Sequence, residues 1–179
     1  RVNGVRIMLK GVNRHDFDPD HGWAVPSHRY RHDLTKAKQL NINAIRTSHY
    51  PPHPHFLELC DRYGLYVVDE CDLETHGIEM EGWAGNPSDD PRWESQYLDR
   101  MRRTVERDKN HPSVVMWSLG NEAGLGRNLA AMSAWVHDRD PGRPVHYEPD
   151  HATAFTDVYS RMYASHAEVD LIGRREEDP

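Results

Sequence analysis

The chain has 179 residues and carries 22 Lys+Arg against 29 Asp+Glu, a net charge of −7 with His neutral. At roughly 150 residues per domain this is one domain, and the acidic balance argues against a general nucleic-acid binder, which is usually basic. No apolar run approaches the roughly 18 residues of a membrane helix, the first residues lack a signal-peptide core, and two cysteines, Cys60 and Cys71, are too few for a disulfide-built scaffold.

In chain order, residues 7–12 form a short apolar run that reads as a strand. After a loop rich in Gly, Pro and Asp, Tyr30, Leu34, Ala37 and Leu40 recur at helical spacing, with Ser27 placed to cap that helix. Residues 43–47 read as a second strand. Pro54 opens a helix that runs to Tyr63 and is ended by Gly64. A third, buried-type strand over 65–69 is followed by a long loop over 74–90. Asp90-Pro91 starts a helix on which Trp93, Tyr97, Met101 and Val105 fall every fourth residue, and Asn110-His111-Pro112 stops it. Residues 114–119 are a fourth strand. Leu129, Met132, Trp135 and Val136 mark a helix ending near Asp140-Pro141. Residues 144–147 and 158–163 give a fifth and a sixth strand.

Strict alternation of strand and helix implies a parallel sheet with helical crossovers. A dinucleotide fold would carry G-x-G-x-x-G after the first strand, and a nucleotide-triphosphate fold a P-loop lysine motif; neither occurs. The polar residues crowd instead just after the strands: Asn13-Arg14-His15, Ser48-His49-Tyr50, the stretch 70–76, Asn121-Glu122 and Glu148. Chemistry at strand C-terminal ends is the habit of the TIM barrel, which needs eight units and about 250 residues. The expectation is therefore an α/β chain forming an incomplete (β/α)8 barrel, with about six of eight strands over residues 1–179.

Gly120 lets the chain turn sharply, so that Glu122 projects from the barrel mouth, either as a general acid or as a cap on the next helix. Glu74 and His76, two apart, face the same side of an extended segment and suit a divalent cation, or are a polar surface pair; Glu70 and Asp72 add acidic density. His15 and His49 end two different strands and can donate to a substrate hydroxyl or bond a backbone carbonyl. Arg46 lies inside a strand, on the side of the pleat opposite His49, and a buried Arg implies a carboxylate partner. His53 and His55 read as solvated and both cysteines as buried thiols. The mixed-sign run over 174–178 reads as a frayed end.

Longer stretches carry a resemblance. Residues 43–51 (NAIRTSHYP) with 61–68 (DRYGLYVV), and 108–113 (DKNHPS) through 117–122 (WSLGNE), resemble two signatures of glycoside hydrolase family 2. The segments GVNRH at 11–15 and DECDLETHG at 69–77 are similar to its β-galactosidase branch. The likeness implies a central TIM barrel flanked by β-sandwich domains, and hydrolysis of terminal β-galactosides with retention. It implies Glu122 as acid/base and Asn121 as partner of the sugar 2-hydroxyl. Glu74, His76 and Glu122 would hold magnesium, with manganese as the alternative and sodium as a further ion of the complete enzyme. His15 and His49 would bind the galactosyl transition state, and Arg46 would orient the nucleophile.

The family nucleophile, a Glu in a Cys-Glu-Tyr-like motif on the seventh strand, has no counterpart in these residues, and retaining hydrolysis needs two carboxyls about 5–5.5 Å apart. The segment by itself is expected to be inactive. Its parent is expected to be a cytoplasmic homo-oligomer with a β-galactoside as its partner, and with neither nucleic acid nor membrane. A metal-dependent hydrolase on a His-rich barrel would show an HxH pair after the first strand, where the chain reads Asn13-Arg14-His15. A non-catalytic sugar-binding barrel is the third reading.

Overall fold

The computed structural model describes residues 1–176. Five strands and five helices alternate: β1 (Gly11–Asn13), α1 (Ser27–Gln39), β2 (Ala44–Arg46), α2 (Pro54–Tyr63), β3 (Tyr66–Glu70), α3 (Glu94–Asp108), β4 (Val114–Ser118), α4 (Arg127–Arg139), β5 (Val145–His146) and α5 (His166–Arg174). The strands form one parallel sheet in the order β1-β2-β3-β4-β5. Each parallel crossover runs through a helix, as parallel strands require. The sheet is the arc of a TIM barrel and is not closed on itself among the described residues.

The helices pack their apolar stripes on the outside of that arc. Leu34 of α1, Phe56 and Leu57 of α2, Met101 and Val105 of α3 and Leu129, Met132 and Val136 of α4 are all buried against Ile45, Val67, Val114 and Val145 of the strands. Pro54 occupies the first turn of α2, and Gly64 ends it in the left-handed region at φ 67°, as the sequence predicts. Both cysteines are buried and free. Among the described residues no helix is long and apolar enough to cross a membrane.

Several elements differ from the sequence reading. The first strand is Gly11–Asn13, which takes only the last two residues of the 7–12 run, because the side chain of Asn43 captures the backbone before it: Lys10 N–H donates to Asn43 Oδ1 at 2.7 Å and Asn43 Nδ2 donates to Met8 O at 2.9 Å. Ser27 does not cap α1; it is the first helical residue, and Pro26, extended at φ −65° and ψ 141°, occupies the cap position. Leu40 lies past that helix and is exposed. The loop after β3 contains a 3-10 turn, His76–Glu81, and Trp93 closes another, Pro91–Trp93, ahead of α3.

The sixth strand does not form, so the count is five among the described residues. Asp157 N–H donates to Val145 O at 2.9 Å and Asp157 Oδ2 accepts from Val145 N–H at 2.7 Å, and residues 158–163 add no backbone pairing with the sheet. The Met162 N–H is then taken by the Glu148 carboxylate at 2.9 Å. The free edges are therefore β1 and β5. At the other end of the chain Arg174 closes α5 and Arg175 caps it at φ 61°; positions 177 and 178 of the mixed-sign run lie outside the described residues.

Candidate active site

The C-terminal ends of β2, β3 and β4 converge on one buried carboxylate, Glu70. Its Oε2 accepts from Arg46 Nε at 2.5 Å and from Ser118 Oγ at 2.7 Å, and its Oε1 pairs with His49 Nδ1 at 2.7 Å. The carboxylate partner that Arg46 demanded is thus Glu70. The pleat argument that put Arg46 and His49 on opposite sides fails because β2 stops at Arg46. Two turns, Ser48 N–H to Arg46 O at 2.9 Å and Tyr50 N–H to Thr47 O at 3.1 Å, bring His49 round to the same carboxylate. Held at Nδ1 by Glu70, His49 leaves its Nε2 for another partner. The His15 ring stands edge-on to it, 5.2 Å between centroids.

Arg46 also reaches across to the end of β4. Its second nitrogen donates to Asn121 Oδ1 at 3.0 Å, and Asn121 Nδ2 donates to Glu122 Oε2 at 3.0 Å. The loop that carries this pair is pinned from several directions. Gly120, at φ 146°, lies so close to Leu73 that a Cβ there would sit 2.5 Å from the Leu73 carbonyl oxygen. Asn121 N–H donates to that same oxygen at 2.8 Å. Tyr147 Oη accepts from Ala123 N–H at 3.0 Å and donates to Gly124 O at 2.7 Å. Asn86 and Ser88, from the long loop, both donate to Ala123 O. Glu122 itself adopts φ 32°, a backbone position that non-glycine residues rarely take and that clusters at functional sites. It does not cap α4, whose cap position is Gly126.

Leu73 links this loop to the candidate metal ligands. One ligand atom each from Glu74, His76 and Glu122 lies within 4.8 Å of the others, and His76 Nδ1 is 3.4 Å from Glu122 Oε2. Adjacent ligands of an octahedral magnesium are about 2.9 Å apart and opposite ones about 4.1 Å, so the three need to draw in by up to about 2 Å. Two carboxylates and one imidazole suit a hard divalent cation. The other side of His76 is held by Glu79 at 2.8 Å.

Three members of this network escaped the sequence reading as site residues. Glu70 was visible only as acidic density. Ser118 and His146 sit inside strands that read as apolar. Ser118 Oγ, donating to Glu70, accepts from His146 Nδ1 at 3.0 Å, and His146 Nε2 faces Ser160 Oγ at 3.0 Å. Burial first, then the Arg46 charge, lowers the His146 pKa to about 4, so this imidazole stays neutral. Arg14, next to His15, turns away from the mouth to Asp16 and Asp33 and stacks over Phe56 at 4.3 Å. Glu148 is engaged by Met162 N–H and His151. The His53 ring accepts from His55 N–H at the start of α2.

All 179 residues match the family model described as glycosyl hydrolases family 2, TIM barrel domain. A β-galactosidase of Arthrobacter sp. strain B7 is 60% identical over 175 residues, which is 98% of this chain and 17% of that protein. A β-galactosidase of Vibrio cholerae is 52% identical over 165 residues, 92% of this chain and 16% of that one. The chain thus spans about a sixth of the length of these relatives. Among solved structures, a β-glycosidase from Bacteroides vulgatus is 33% identical with a TM-score of 0.65, covering 81% of this chain and 18% of its own.

Proposed function

The chain belongs to glycosyl hydrolase family 2, and from that premise we propose that it supplies the acid/base half of a retaining β-galactosidase site. The observation that carries the reading is the rigid Gly120-Asn121-Glu122 corner, which is bonded on one side to Arg46 and meets Glu74 and His76 on the other. In this reading Glu122 protonates the departing glycosidic oxygen and later takes a proton from water. Asn121, fixed between Arg46 and Glu122, meets the sugar 2-hydroxyl. His15 and His49 line the galactosyl side. Arg46, already neutralised by Glu70, presents its remaining donor edge to a nucleophilic carboxylate from outside residues 1–179. Glu74, His76 and Glu122 hold the magnesium, which when bound supplies a fixed positive charge beside the acid/base carboxyl.

The complete polypeptide is expected to release galactose from β-D-galactosides at least about a hundredfold faster than glucuronic acid from the matching glucuronides, with the β-anomer as first product by NMR. Faster cleavage of glucuronides, or inversion, would overturn the reading. Glu74→Gln removes one anionic ligand and is expected to weaken magnesium at least about tenfold in a calorimetric titration. An unchanged titration would remove Glu74 from the metal site.

A further inference from the structure

Beside Glu70 on β3, and turned to the helix side of the sheet, lies a second buried acid that the reaction as described leaves unused. Asp69 and Asp108, the last residue of α3, are both buried, at 0% exposure. The Asp108 carboxylate bears on Asp69, and two buried carboxyls beside each other are favoured when one of them carries a proton.

The donors around the pair show which acid holds it. Asp108 is the ionised partner: Arg107 donates to its Oδ1 at 2.8 Å and to its Oδ2 at 2.6 Å. The remaining bond of that guanidinium goes to Pro52 O at 2.9 Å, so none of these bonds reaches Asp69. Asp69 Oδ1 accepts from Thr47 Oγ1 at 3.2 Å, while its Oδ2 is fully buried and meets no protein donor. A fully buried carboxyl oxygen with no donor facing it, beside an ionised carboxylate, is where the proton belongs.

Thr47 carries the arrangement onward. Its hydroxyl donates to Asp69 and accepts from the backbone N–H of Glu70 at 2.9 Å. Thr47 follows Arg46 directly, and Glu70 is the carboxylate on which Arg46 and His49 converge. The geometry points to Asp69 as a positioning residue: a neutral carboxylic acid that, through Thr47, fixes Glu70 against Arg46 and His49. The protonation state stands on the structure alone; its effect on turnover rests on the glycosidase reading above.

Burial first, then the Asp108 charge, raises the Asp69 pKa well above the usual carboxylate range. The remaining titratable neighbours do not compete. Burial pushes Cys60 on α2 up to about 12 and Cys71 past β3 higher still, so both stay neutral, and Arg107 is held charged by Asp108. A raised carboxyl adds stability that is complete below its unfolded pKa and is lost as pH climbs through its folded value.

The test uses the complete polypeptide and Asp69→Asn, whose uncharged amide can accept from Thr47 as a neutral acid does. The variant is expected to fold, to keep kcat within about twofold, and to lack the protonated-carboxyl C=O band that the wild type shows in an infrared difference spectrum at neutral pH. Its thermal midpoint should fall less than the wild type's as pH rises. Asp69→Val, which keeps the shape and loses the bonds, should lower kcat by about a hundredfold with a smaller change in KM. If Val does not fold, the Asn and infrared arms decide. Absence of the band, or an Asp69→Asn protein that unfolds, shows an ionised Asp69 and overturns the proposal. A band with wild-type kcat in a folded Val variant overturns the positioning role. An inactive wild type that retains the band sinks the glycosidase reading instead.

Discussion

Glu122→Gln in the complete enzyme is expected to lower kcat/KM on galactosides with poor leaving groups by about 10²–10⁴-fold, the usual worth of a positioned general acid. The loss should shrink steeply as the leaving group becomes a better anion. Proton donation matters in proportion to the basicity of the departing oxygen, so an activated phenol leaves nearly unaided. Two features support this side chain as the donor in the proposed mechanism. It stands at φ 32° on a loop fixed by Leu73, Tyr147, Asn86 and Ser88. Its Oε2 also faces Asn121 and His76. Rates for a series of aryl galactosides give the measurement. An equal loss across the series would show that Glu122 acts on binding or on the metal and is not the acid.

The parts of the fold that were legible in the sequence are those with strong local grammar. Pro54 and Gly64 bound α2 to the residue, and the apolar stripes of α3 and α4 place both helices. What failed was decided by side chains reaching backbone far away in sequence. Asn43 shortens β1, and Asp157 with Glu148 takes the backbone groups that a sixth strand would have used. The site divides in the same way. Glu122 and Arg46 are conspicuous beside the turn and inside the strand that hold them. Glu70 is one acid among several over 69–74, and nothing in its neighbours along the chain says that β2 and β4 both aim donors at it. Ser118 and His146 belong to the same class, polar residues whose partners exist only once three strands lie side by side.

Glu70→Gln is expected to cost about 3–5 kcal/mol of stability, the usual penalty for stripping one partner from a buried ion pair, and to lower kcat by at least about a hundredfold. Three donors meet this carboxylate, from Arg46, Ser118 and His49. A carboxylate accepts at both oxygens, whereas an amide has one acceptor and a nitrogen that only donates. With its oxygen on Arg46 and Ser118, Gln turns its NH₂ to His49, which must switch tautomer to accept it, and Arg46 loses the charge that balances it in a site where its side chain is 12% exposed. The damage then spreads to groups that touch substrate in the proposed mechanism: Arg46 also holds Asn121, and His49 draws its tautomer from Glu70. Urea unfolding and steady-state kinetics on the complete enzyme measure both effects. His49→Ala supplies the contrast, because it deletes one donor and leaves the Arg46–Glu70 pair intact, so it should lower activity with a much smaller loss of stability. If Glu70→Gln were as stable as the wild type and as active, the three strand ends would be held by their backbone alone. Glu70 would then be only a neighbour of the site.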